Sequence, residues 1–62
     1  MTSDDYIHAA WVMERNGGSF AAAIAQAYYR ADKDNAARLR VAFRELFEQY
    51  HAEYLREQGE TA

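Results

Sequence analysis

The sequence predicts a small all-α protein of three helices, and three observations carry that expectation. The chain contains no Pro, no stretch alternates apolar and polar residues as a half-buried strand would, and Ala, Leu, Glu, Arg and Gln are abundant. At 62 residues it makes one domain, 1–62, and buries too small a fraction of its surface to be robust without a staple or a partner. Half of the residues are hydrophobic and 15% are aromatic, which is enough apolar material to fold. Those aromatics also exceed what so small a monomer easily hides, so self-association is expected.

The first helix is expected over about 4–16. Ser3 reads as its N-cap, with Asp4 and Asp5 in the first turn where the helix dipole favours anions. Tyr6, Ile7, Ala10 and Met13 share one face with Trp11 at its edge, while His8 and Val12 point elsewhere. The second helix, about 20–31, places Phe20, Ile24, Ala27, Tyr28 and Ala31 on its stripe. Its many alanines permit close approach to a neighbouring helix. Tyr29 projects away.

Between them lies "ERNGGSF", with the only paired glycines in the chain. A P-loop would need a preceding strand and a Lys followed by Ser or Thr, and a dinucleotide fingerprint would need three spaced glycines after a strand. A hairpin turn would need alternating flanks. The segment therefore reads as a helix joint: Gly17 in the left-handed cap position, Gly18 as a swivel and Ser19 capping the second helix. Its free backbone N–H groups could also hold an anion.

The third helix, capped by Asp32 or Asp34 with Asp32 preferred, is expected over about 33–58 and ends at Gly59. Ala36, Leu39, Phe43, Leu46, Phe47, Tyr50 and Tyr54 form its core face. At about 1.5 Å per residue it spans about 38 Å against about 20 Å for each of the others. A helical hairpin plus this long helix leaves Leu46, Phe47, Tyr50, Tyr54 and Leu55 overhanging, to be covered by something else. A weaker seam, Ala37, Val41, Arg44, Glu48, Ala52 and Leu55, reads either as scattered surface apolars or as a contact surface.

The charge is two-ended. Residues 30–44 carry Arg30, Lys33, Arg38, Arg40 and Arg44 against Asp32 and Asp34; residues 45–62 carry Glu45, Glu48, Glu53, Glu57 and Glu60 against Arg56. Two such helices side by side in parallel would repel. Antiparallel, they set Arg40 and Arg44 near a partner's Glu53 and Glu57, so an antiparallel homodimer through Leu46, Phe47, Tyr50, Glu53 and Glu57 is expected. Exposed pairs of this kind set orientation more than affinity.

Residue chemistry argues against catalysis and cofactors. There is no Cys, and Ser3 and Ser19 sit where caps are wanted. His8 and His51 are too few for a zinc site. Glu48 and His51 have the E-x-x-H spacing of di-iron bundles, but they lie off the main apolar stripe and read as a solvated polar face. The net charge of −3 argues against a general nucleic-acid binder, since such a protein needs a basic surface. A helix-turn-helix reader built on Arg38, Arg40 and Arg44 is the alternative, weakened by the acidic second half of the same helix. The acidic start "MTSDDYIHAA" and the lack of a long apolar run predict a cytoplasmic protein without a membrane span.

Trp11, "NGGSF" at 16–20, "AD" at 31–32, Asn35, Leu39, "AF" at 42–43 and Tyr50 together resemble a widespread group of very short open reading frames in tailed phages and prophages. The similarity covers about residues 11–50. The resemblance implies a small phage-encoded protein that acts by stoichiometric binding, after the manner of the phage quorum-sensing anti-activators, all-helical dimers that inactivate host proteins. It carries over no catalytic residues. Binding hot spots are typically aromatic or Arg, so Tyr29, Arg40, Val41, Arg44, Tyr54 and Leu55 are the expected contacts with a host protein in the bacterial cytoplasm.

Overall fold

Four helices, not three, make up the computed structural model, which describes residues 1–61, with side chains described through residue 59. They are α1 (Ser3–Asn16), α2 (Gly18–Arg30), α3 (Lys33–Ala42) and α4 (Arg44–Thr61). Among the described residues there is no strand.

Thr2, rather than Ser3, starts α1. Its hydroxyl accepts the Asp5 N–H at 3.2 Å, and the Asp5 carboxylate accepts the Thr2 N–H at 2.8 Å. This reciprocal box needs a carboxylate or amide side chain three residues beyond the cap. Thr2 has Asp5 there, whereas Ser3 would have Tyr6.

The α1–α2 joint also differs from expectation. Gly17 has φ −88° and serves as C-cap of α1 and N-cap of α2 at once, while Gly18 takes the left-handed φ of +77°. Ser19 is already inside α2, so no position remains for it to cap. Gly17 is required for room: a Cβ there would lie 2.5 Å from the Ala21 Cβ and 2.6 Å from the Met13 carbonyl oxygen. The two helices meet so closely that α2 turns the small side chains of Ala21 and Ala25 inward. Ala21, Ala25 and Tyr28 are its buried residues, Ile24 is half-buried, and Phe20 and Ala27 are exposed.

Asp32 caps α3 by accepting the Asn35 N–H at 2.8 Å. The helix then stops at Ala42, because Phe43 leaves helical geometry at φ −117° and ψ 32°. The single rod expected over 33–58 is therefore an elbow. α4 continues through Gly59 to Thr61, so that glycine does not end it.

The elbow lays α4 across the α1–α2 hairpin. At the elbow Phe43 meets Phe20, and on one flank of α4 Glu53 and Glu57 reach Asn16 near the glycine corner. On the other, Phe47 meets Tyr6 and Tyr28, His51 meets Asp5 and Tyr54 meets His8. Residues on opposite flanks of one helix thus touch opposite ends of α1, which requires a steep crossing.

Of the expected overhang only Leu55 stays exposed. Phe47 is fully buried in the chain's own core with Ala9, Ala10, Met13, Ala21, Ala25 and Tyr28, and Leu46 and Tyr50 pack against the same cluster. Phe47, Tyr6 and Tyr28 form an aromatic trio with centroids 5.2–6.4 Å apart, edge-on at Phe47 as ring quadrupoles prefer. Val12, which points away from the main face of α1, is fully buried. It lies one turn from His8 and from Asn16, both of which contact α4, so the second face of α1 is covered by α4.

Candidate functional site

The least embedded element is α3, which has no buried residue. Ala36 and Leu39 pack on the core from one side. Arg40 supplies the second anchor: its Nη1 donates to the Tyr28 hydroxyl at 3.3 Å, and its guanidinium lies 5.5 Å from the centre of the Tyr6 ring. The aromatic trio is thereby tied to α3 through a cation–π contact and a hydrogen bond.

The outward face of α3 consists of Ala37, Arg38, Val41 and Ala42, and Val41 is 80% exposed. A groove of about 520 Å³ runs beside it, lined by Met1, Tyr6, Ala37, Arg40, Val41, Arg44 and Glu48. On the other side of α3 a groove of about 390 Å³ has a floor of Ala27, Ala31, Leu39 and Ala42 edged by Arg30, Asn35 and Arg38. The elbow itself encloses a concavity of about 550 Å³ bordered by Val41, Ala42, Glu45 and Gln49 among others. Apolar floors edged by guanidinium groups suit an apolar, acid-flanked segment of another chain. Exposed apolar surface framed by polar groups is a mark of protein contact.

Comparison with protein-family models, with curated proteins and with solved structures returns no match.

Of the six residues expected to contact a partner, the fold brings Arg40, Val41 and Arg44 to one groove. Arg40 is largely engaged within the chain, and Arg44 Nε lies 3.8 Å from Glu48 on the next turn of α4. Tyr29, Tyr54 and Leu55 line none of that groove. Tyr29 is on α2, where partial burial, then the negative charge of Glu14, raises its phenol above the usual value. Tyr54 stacks on His8 at 4.4 Å with rings 12° apart, and His8 in turn meets the half-exposed Trp11. Leu55 remains exposed.

The residues assigned to a dimer are employed inside the chain. Phe47 is core, Glu57 pairs with Arg15 at 2.5 Å, and Glu53 accepts from the Asn16 amide at 3.3 Å. His51 is not on a solvated face, since its Nε2 is 3.3 Å from Asp5 and its side chain is mostly covered. Met1 lines the groove shared by Arg40, Val41 and Arg44 without any signal in the sequence, Ala37 enters it from the weaker seam, and Arg38, expected only as a base of the DNA-reading alternative, stands on the neighbouring outward face. The signal for the last two lay in the i, i+4 spacing of Ala37 and Val41 and in Arg38 standing between them. Among the described residues no group of three or more His, Cys, Asp or Glu is placed to hold a metal, and no helix is long and apolar enough to cross a membrane.

Proposed function

We propose that this chain is a small phage-encoded protein that works as a homodimer in the bacterial cytoplasm by stoichiometric binding to a host protein, which it inhibits or redirects. It is a binding protein without turnover, and it uses neither cofactor nor metal. The observation that carries the reading is Val41, a β-branched apolar side chain 80% exposed on a helix with no buried residue and bordered by Arg38 and Arg44. The similarity of "NGGSF" and its companion residues to short phage proteins supports the source and the mode of action.

One observation favours the DNA-binding alternative. With the elbow at Phe43, the bases of α3 sit on a short helix separate from the acidic α4. Against it, Asp32 and Asp34 crown the N-terminal end of α3, the end that a recognition helix presents to bases, and Arg40 is engaged with Tyr28 and Tyr6.

The test is to identify the host protein retained by the purified chain, then titrate that protein against wild type, Val41→Glu and Arg44→Glu by calorimetry. A defined molar ratio for wild type and at least tenfold weaker binding for Val41→Glu are expected. Undiminished binding by both variants, or salt-sensitive retention of random duplex DNA in place of a protein, would overturn the reading.

A further inference from the structure

The break between α3 and α4 falls where the sequence holds no helix breaker. Residues 41–46 read Val-Ala-Phe-Arg-Glu-Leu, a segment whose local preference is to continue the helix. Only Phe43 departs. The turns on either side are intact: the Phe43 N–H reaches the Leu39 carbonyl at 2.9 Å, and the Phe47 N–H reaches the Phe43 carbonyl at 3.0 Å. The elbow is therefore imposed by docking of α4, not by the residues that form it.

We propose that two copies of this chain exchange α4. Phe43 straightens, α3 and α4 fuse into one helix about 44 Å long, and α4 of each copy docks on the α1–α2 hairpin of the other. The inference rests on the two-copy part of the functional reading.

Three features of the fold support it. The contacts that hold α4, namely Tyr6 and Tyr28 on Phe47, Asp5 on His51, His8 on Tyr54 and Arg15 on Glu57, all link α4 to the α1–α2 hairpin. They form equally well between copies, so exchange keeps this packing and remakes only contacts at the bend such as Phe43 on Phe20, which is what makes swapping a low-cost route to dimers. The hinge is a single residue set against local helix preference, the arrangement that invites exchange. Finally, straightening removes the open concavity at the elbow and brings the hinge segments of the two copies together, where Val41 has apolar surface left to cover.

The test uses the Arg15–Glu57 pair. Arg15→Glu and Glu57→Arg each place like charges together within a chain, but in an exchanged dimer of one of each, both junctions regain opposite charges. Wild type is expected to have twice the monomer mass of 7.1 kDa by light scattering. After joint unfolding and refolding, native mass spectrometry of the two variants should show mixed dimers well above their random share. A Gly-Gly insertion after Phe43 should let α4 fold back and yield monomer. A monomeric wild type would overturn both exchange and the two-copy state. Mixed dimers at the random share, or an insertion variant that stays dimeric, would overturn exchange while leaving the two-copy state standing.

Discussion

His51 Nε2 lies 3.3 Å from Asp5 Oδ1, while the other oxygen of the same carboxylate accepts the Thr2 backbone N–H at 2.8 Å. One side chain therefore closes the first turn of α1 and meets α4 where it crosses. The Asp5 carboxyl is held below its ordinary value first by the Thr2 backbone N–H, and further by the Thr2 hydroxyl and the charge on His51.

A carboxyl depressed in the folded state binds its proton more readily when unfolded, so its contribution is complete above the unfolded value and declines as pH falls from there through the folded value. The unfolded reference is 3.8. Melting temperature should therefore drop as pH is lowered through about 4 and below. Asp5→Asn, which keeps the shape but loses the charge, should flatten that limb in a pH series of thermal melts; an unchanged limb would place the acid sensitivity elsewhere.

The three glycines should respond differently to alanine. At Gly17 the new Cβ meets Ala21 and the Met13 carbonyl at 2.5 and 2.6 Å, and overpacking of this kind costs about 1–3 kcal/mol. At Gly18 the cost is the positive φ, about 1–2 kcal/mol. Gly59 lies inside α4 with nothing near its Cβ position, so alanine should stabilise by about 0.5–1 kcal/mol. Urea denaturation of the three variants reads the order directly.

Phe47 should be the costliest single truncation. It is the fully buried residue through which α4 enters the aromatic trio, and Phe→Ala in a core costs about 3–5 kcal/mol. In a chain of this size that is most of the stability available. Circular dichroism of Phe47→Ala should show a broad, low-temperature transition; a sharp wild-type-like melt would mean α4 is not held by this ring.

Arg40 and Arg38 are neighbours in sequence with different duties. Arg40 bonds to Tyr28 and covers Tyr6, whereas exposed Arg38 reaches Asn35 at 3.5 Å, one turn back on its own helix. Arg40→Ala should lower stability by about 1 kcal/mol, and Arg38→Ala should stay within about 0.5 kcal/mol of wild type. Equal melting of the two variants would refute the anchoring role.

Much of the fold was legible because local rules decided it. The Asp32 cap, the glycine joint and the core face carried by Ala36, Leu39, Phe43, Phe47 and Tyr50 follow from capping chemistry and helical spacing. The site was less legible. Arg40, Val41 and Arg44 share a groove as their spacing suggests, but Tyr29, Tyr54 and Leu55 belong to other surfaces, and Glu53 and Glu57 reach Asn16 and Arg15 on α1. Single-helix periodicity cannot say which neighbour covers a second face, which is why the spacing alone leaves Val12 off the main face and reads His51 as solvated.

By itself the sequence determined that the chain is helical, where its first three helices begin to within a residue or two, and that Ala10, Met13, Tyr28 and Phe47 face the core. The tertiary structure alone decided the elbow at Phe43 and the steep path of α4 across α1. The physical reason is that Val41 to Leu46 favour an unbroken helix, while burying Phe47 between Tyr6 and Tyr28 requires a bend. Within one chain, the burial of a large aromatic side chain outweighs the local helical preference of the hinge.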